Sequence, residues 1–242
     1  MTTDNSSPND SPDKMIHEIQ NYLHFLASMG CRGFDCSAET MERMQRWGSG
    51  VCFDHETIIG LEEMTGTCRR CRLSGSRRKV VFGSGDPKAK LMFIGDYPDA
   101  GDEEQCLPFA GETGDLFTRI IQAMGFTREN IYICNAVKCT PPKGREPLQE
   151  EMDACRYLLQ RQIRIVQPEI ICTLGPISTK AVLNTSEPLS ALRGRFHQYD
   201  RILVMPTYHP ALLLKEADRK RDVWEDMKLV MKAYQEKVQR IH

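Results

Sequence analysis

A chain of 242 residues that is 40% hydrophobic and 27% charged can bury one substantial core. Its formal net charge of −1 at pH 7 argues neither for nor against a nucleic-acid partner, because a basic groove can be balanced by acidic surface elsewhere. No apolar run reaches the length of a membrane span, and residues 1–13 lack the apolar core of a signal peptide. A soluble, cytoplasmic protein is therefore expected, and its ten cysteines are more in keeping with metal ligands and core packing than with a disulfide framework.

Residues 1–13, rich in Ser, Asp, Asn and Pro, have the composition of a disordered tail. Residues 14–60 are expected to form a helical N-terminal appendage. Met15, Ile16, Ile19, Tyr22, Leu23, Phe25 and Leu26 recur at helical spacing before Gly30, and a second helix is expected over 38–47. The main domain is expected over 61–242. A helix over 58–66 leads to Cys68-Arg-Arg-Cys71, the one Cys-x-x-Cys of the chain, and residues 80–83 are a short strand candidate. The apolar run 91–95 (Leu-Met-Phe-Ile-Gly) reads as a buried strand that empties into a carboxylate loop from Asp96 to Glu104, then Leu107-Pro-Phe109-Ala-Gly111.

A helix over 113–124 follows, then a strand over 131–134 that delivers Asn135, and a Pro/Gly loop over 140–147. A long helix over 150–166 carries Cys155. A third strand over 169–174 meets Gly175-Pro176, which opens a helix over 177–183; residues 188–196 read as irregular. The fourth strand, 202–205, ends in Tyr208-His209-Pro210. A basic loop over 215–221 precedes the last helix, 222–238. Strands alternating with helices predict the α/β class, here a three-layer α/β/α sandwich around a central four-stranded parallel sheet.

Two constellations carry chemistry. Cys68 and Cys71 can face one site from a tight turn, with Cys139 at a loop start and Cys155 on the next helix. Four thiolates in this pattern suit zinc or an iron–sulfur cluster, and the alternative is a Cys-x-x-Cys redox pair beside two ordinary core cysteines. The second constellation is what four successive parallel strands bring to one rim: the acids of 96–104, Asn135, the Gly175-Pro176 helix start and His209. Ligands of open α/β sheets bind at that edge. Phe109 beside the acids could stack on a flat base, and an Asn side chain offers a donor and an acceptor together, which matches uracil and mismatches cytosine.

The motifs Cys68-Arg-Arg-Cys71-Arg-Leu, Val81-Phe-Gly83, Lys90-Leu-Met-Phe-Ile-Gly95-Asp96-x-Pro98, Pro108-Phe109-Ala-Gly111, Tyr132-Ile-x-Asn135-x-Val-Lys138-Cys139-x-Pro-Pro142, Leu174-Gly175, Arg193-Gly194 and His209-Pro-Ala-x-Leu-Leu214 together resemble the family 4 uracil-DNA glycosylases, over about residues 67–232. The resemblance implies a 4Fe–4S cluster on Cys68, Cys71, Cys139 and Cys155, and a DNA repair glycosylase that hydrolyses the bond between uracil and its sugar with water. Phe109 and Tyr97 are expected at the base, Asn135 reading its edge, and His209 stabilising the leaving group. Asp96, with Asp102 as second candidate, would position the water or stabilise the sugar cation. Arg193, Arg219, Lys220 and Arg221 are candidate DNA contacts, single-stranded or duplex DNA containing uracil is the expected partner, and a monomer is expected.

The chain departs from the family's first motif, commonly Gly-Glu-Ala/Gly-Pro-Gly. Here it reads Gly95-Asp96-Tyr97-Pro98-Asp99, and Cys106-Leu107 stand where Gly-Arg is common. No histidine or insertion lies between Asp96 and Phe109, so covalent trapping of the abasic sugar is not expected. Two rival readings are a non-catalytic iron–sulfur nucleic-acid-binding protein and a zinc-bound α/β hydrolase acting on another nucleotide or nucleic acid.

Overall fold

The computed structural model describes residues 57–238, with side chains to residue 237. The tail over 1–13 and the helices expected over 14–29 and 38–47 lie outside the described residues. Six strands form one sheet: β1 (Ser84–Gly85), β2 (Leu91–Gly95), β3 (Tyr132–Asn135), β4 (Ile170–Leu174), β5 (His197–Tyr199) and β6 (Ile202–Thr207), in the order β1-β3-β2-β4-β6-β5. The four middle strands are parallel and the two edges antiparallel. The expected parallel sheet is thus the centre of a mixed one.

The edges explain the difference. The strand expected over 80–83 makes only one backbone bond to its neighbour, from the Val81 N–H to the Lys138 carbonyl at 2.9 Å, beyond the end of β3. Ladder pairing begins at Ser84 opposite Ile133. β5, just beyond the stretch 188–196 read as irregular, is three residues with no apolar alternation, and it forms by pairing with β6.

The helices are α1 (Ile58–Gly66), α2 (Ala100–Gln105), α3 (Gly111–Ala123), α4 (Gln149–Val166), α5 (Pro176–Leu183), α6 (Leu189–Leu192), α7 (Pro210–Lys215) and α8 (Arg219–Val238). Among the described residues none is long and apolar enough to cross a membrane. Because side chains alternate along a strand, β2 divides its apolar run between two faces. Leu91 and Phe93, with Ile133, Cys172 and Met205, pack against Phe117 and Ile121 of α3 and Val223, Met227 and Val230 of α8. Met92 and Ile94, with Tyr132, Ile171 and Val204, pack against Leu159, Ile163 and Val166 of α4 and Ile177 and Val182 of α5. Each such buried side chain contributes roughly 1.5–3 kcal/mol. Burial on both faces is why β2 and β4 read as unbroken apolar runs.

The register decides where the chemistry sits. Gly95 pairs with Asn135 on one side and Leu174 on the other, and Leu174 pairs with Thr207, so the four parallel strands end flush. From β2 the chain first crosses to β3 on one side and later to β4 on the other. The loops that leave the ends of β2 and β4 therefore diverge and open a crevice at the end of β2.

Candidate active site

Asp96 leaves the end of β2 and turns under the start of α5, where its Oδ1 accepts the Ser178 N–H at 2.7 Å. Gly175 makes this approach possible: a Cβ there would stand 2.2 Å from Asp96 Oδ2. Burial pushes the Asp96 carboxyl up from 3.8 to about 7, against the opposing pull of the backbone and side chain of Ser178 and the backbone of Ile177. Asp96 is thus poised to change charge near neutral pH.

The acidic loop is more ordered than its composition implies. Asp99 caps α2 by accepting the Asp102 N–H at 2.9 Å, and Asp102 Oδ2 returns the contact to the Asp99 N–H at 3.4 Å. The other oxygen of Asp102 accepts the Ala110 N–H at 2.6 Å. Burial raises the Asp102 carboxyl to about 6, with the Ala110 bond opposing the shift. Both oxygens are therefore engaged in holding backbone.

That backbone carries Phe109 in the left-handed region, φ 56°. A non-glycine residue there is strained, and the surroundings hold it. Besides the Asp102 bond, Arg128 donates to the carbonyls of Pro108 and Phe109. The Phe109 ring lies between Phe117 (centroids 4.7 Å apart, planes at 26°) and His209 (5.3 Å, 27°), leaving it 5% exposed. Gly95 supplies the last clearance: a Cβ there would stand 2.3 Å from Asn135 Oδ1 and 2.5 Å from Phe109 Cζ.

Asn135, at the end of β3, is 1% exposed, and its Nδ2 has no hydrogen-bond partner. A buried unpaired amide is costly and marks a place for a ligand acceptor. His209 precedes α7 and caps it, its Nδ1 accepting the Ala211 N–H at 3.2 Å. That bond places the ring proton on Nε2. Burial pulls the imidazole down from 6.5 to about 4, so near neutral pH it is an uncharged donor.

Asp96, Tyr97, Asp99, Asp102, Phe109, Asn135 and His209 line one cleft of about 300 Å³, with Thr113, Ala211, Leu212 and Lys215 completing its wall. The arginines behave differently. Arg193 is bound to buried Asp226 at 3.0 Å, donates to the Asp222 carbonyl at 2.6 Å and stacks on Tyr208 at 5.3 Å; Thr207 also donates to Asp226. Arg219 pairs with Glu216 and Asp222 and stacks on Tyr208 from 5.2 Å. Lys220 and Arg221 are exposed in the first turn of α8. Sequence reasoning gave no role to Arg128, Thr113 or Lys215. Nothing in a single sequence marks an arginine that reaches carbonyls twenty residues away.

A model of the uracil DNA glycosylase superfamily matches residues 82–228, which include all six strands of the sheet. The chain is 38% identical over 179 residues to the type-4 uracil-DNA glycosylase of Saccharolobus solfataricus, covering 70% of this chain and 83% of the relative. It is 34% identical over 172 residues to the type-4 enzyme of Thermotoga maritima, covering 69% and 89%. The chain belongs to this superfamily, in its type-4 family. A type-5 uracil-DNA glycosylase of Pyrobaculum aerophilum is more distant, 29% identical over 146 residues, 53% of this chain and 64% of the relative.

Within the family, the altered first motif has a structural reading. Asp99, where glycine is common, has φ −92°, which any residue adopts, and its carboxylate gains a capping role. Cys106 is the costlier change: it ends α2 at φ 56°, where glycine is preferred. Tyr97 lies half-buried against two neighbouring apolar clusters and forms one wall of the cleft.

Behind β3 lies a second, smaller cavity. Cys68, Cys71, Cys139 and Cys155 all line it, with Arg77, Lys138, Thr65, Val80 and Leu158 among its other walls. Arg77 donates to Cys139 Sγ at 3.6 Å and the Lys138 N–H to Cys155 Sγ at 3.3 Å. Burial raises the Cys139 thiol, and it raises Cys155 to about 12. Among the described residues no three His, Cys, Asp or Glu side chains stand close enough to hold a single metal ion.

Proposed function

We propose that this chain removes uracil from DNA by hydrolysing the bond between the base and its sugar, leaving an abasic site. The observation that carries the reading is the pairing, in one cleft at the crevice of the sheet, of an unpartnered Asn135 amide with an uncharged His209 donor. A uracil turned out of its strand would lie along the Phe109 side of the cleft. Asn135 would donate Nδ2–H to O4 and accept N3–H at Oδ1, a pattern cytosine cannot satisfy. As the bond breaks, negative charge gathers on the departing base, and His209 Nε2–H donates to its O2 without first losing a proton.

Asp96 stands at the opposite pole. Ionised, it would orient a water toward C1′ and oppose the positive charge that grows on the sugar. Asp102 is the lesser candidate, because both its oxygens hold the loop that presents Phe109. Lys215, Lys220 and Arg221 would meet the DNA phosphates. Arg193 and Arg219 would act through Tyr208, beside His209, since carboxylates engage both.

The four thiols fit a 4Fe–4S cluster. They converge on one apolar cavity, two receive N–H donors of the kind that tune cluster sulfurs, and a cluster spreads its ligands more widely than a single ion does. Bound there, the cluster would cross-link the turn bearing Cys68 and Cys71 to Cys139 and to α4.

The test uses anaerobically purified protein on single-stranded and duplex oligonucleotides bearing one uracil, with alkaline cleavage to reveal abasic sites and iron determination alongside. Uracil-dependent cleavage, falling about 10²–10³-fold in kcat for His209→Ala, is the expected result. Tight DNA binding without abasic product would overturn it in favour of a binding-only protein.

A further inference from the structure

Lys138 lies between the thiol cavity and the base-reading cleft, and its side chain is 1% exposed. Its Nζ donates to the Asn135 carbonyl at 2.6 Å, while its own N–H donates to Cys155 Sγ at 3.3 Å. None of the ion pairs among the described residues includes it. A buried lysine with no carboxylate beside it is strongly unfavourable unless another negative group supplies the balance. The neighbouring sulfurs supply it only when a bound cluster holds them as thiolates, since burial otherwise keeps Cys139 and Cys155 as thiols. Arg77 repeats the arrangement from the other wall, gripping the Cys68 carbonyl at 2.7 Å while it donates to Cys139.

We propose that Lys138 is a positioning residue that couples the cluster cavity to uracil recognition: thiolates around a bound cluster balance its charge, and the same Nζ fixes the carbonyl of Asn135. The inference rests on the glycosylase and cluster readings above. Asn135 closes β3, and its carbonyl is held by the side chain three residues on, so the orientation of its amide depends on that grip. The coupling is short: Lys138 is covalently adjacent to Cys139, its N–H donates to Cys155 Sγ, and its Nζ makes one hydrogen bond to Asn135. It gives the cluster a part in base reading without contact to DNA.

Lys138→Met removes both the charge and the donor. The measurements are the midpoint potential of the cluster by voltammetry and steady-state uracil excision from a single-stranded oligonucleotide. The variant is expected to shift the potential to a more negative value, because a nearby positive charge favours the reduced cluster, and to raise KM about tenfold with a smaller change in kcat. In an Asn135→Ala background the same substitution should still shift the potential but no longer change the excision rate. An unchanged potential, or an excision loss undiminished in the Asn135→Ala background, would overturn the proposal. If the methionine variant does not fold, Lys138→Gln carries the same readings. A wild-type protein without iron, or without uracil excision, would instead overturn the underlying reading before any variant is compared.

Discussion

Asp96 offers the most quantitative test of the site. Its carboxyl is held at about 7 against an ordinary 3.8, so ionising it in the folded protein is disfavoured by about 4 kcal/mol at 1.4 kcal/mol per tenfold. The folded state binds this proton more tightly than the unfolded chain does. Its contribution to stability is therefore fully present below pH about 4, is lost as pH rises toward 7, and is flat above that. About 3 kcal/mol of the loss falls between pH 5 and pH 8. Asp96→Asn keeps an acceptor for the Ser178 N–H and cannot ionise, so its stability should lack this slope. Urea denaturation of both proteins at several pH values in that interval measures the difference directly. The variant should gain on the wild type with rising pH, while uracil excision, which in the wild type should rise through pH about 7, falls sharply. Parallel stability curves across the interval would refute the burial argument and the general-base role with it.

Two further changes test the packing of the cleft. Gly95→Ala would drive a Cβ against Asn135 Oδ1 and Phe109 Cζ; overpacking of this kind costs about 1–3 kcal/mol, and excision should fall further than thermal stability alone accounts for, read by comparing KM with Tm. Cys106→Gly relieves a left-handed cysteine at the end of α2 and should stabilise the fold by about 1 kcal/mol, raising Tm by roughly 2–4 °C in calorimetry with excision unchanged.

The middle of the sheet was legible because β2, β3, β4 and β6 are buried on both faces, and unbroken apolar runs bounded by Gly or Pro are hard to mistake. The flush ends of those strands follow from parallel pairing, which is why the sequence alone groups Asp96, Phe109, Asn135 and His209. What was illegible lacks such a pattern. α2 has no apolar face, only Ala-Gly-Asp-Glu-Glu-Gln, and its one signal was the Asp99-x-x-Asp102 capping pair, which read as free carboxylates. Asp102, engaged through both oxygens, carries no local sign that it is less free for chemistry than Asp96. α7 was hidden in a run of leucines, although His209 followed by Pro210 is a cap and a first-turn proline. The first turn of α8 begins at Arg219, inside the stretch read as a basic loop, since charge alone does not separate a solvated loop from a helix start. The partner of Arg193, thirty-three residues away, has no local signature at all.

That ion pair ties distant parts of the chain to one task. Asp226 sits on the second turn of the last helix, and through Arg193 and Thr207 it fixes the bend on which Tyr208 and His209 are carried. The C-terminal helix therefore works as a keel for the rim of the cleft as well as a cover for the sheet. Replacing Asp226 alone would be felt first at Arg193, Thr207 and the bend that carries His209, whereas shortening α8 would also strip Val230 and Met227 from the core beneath the sheet.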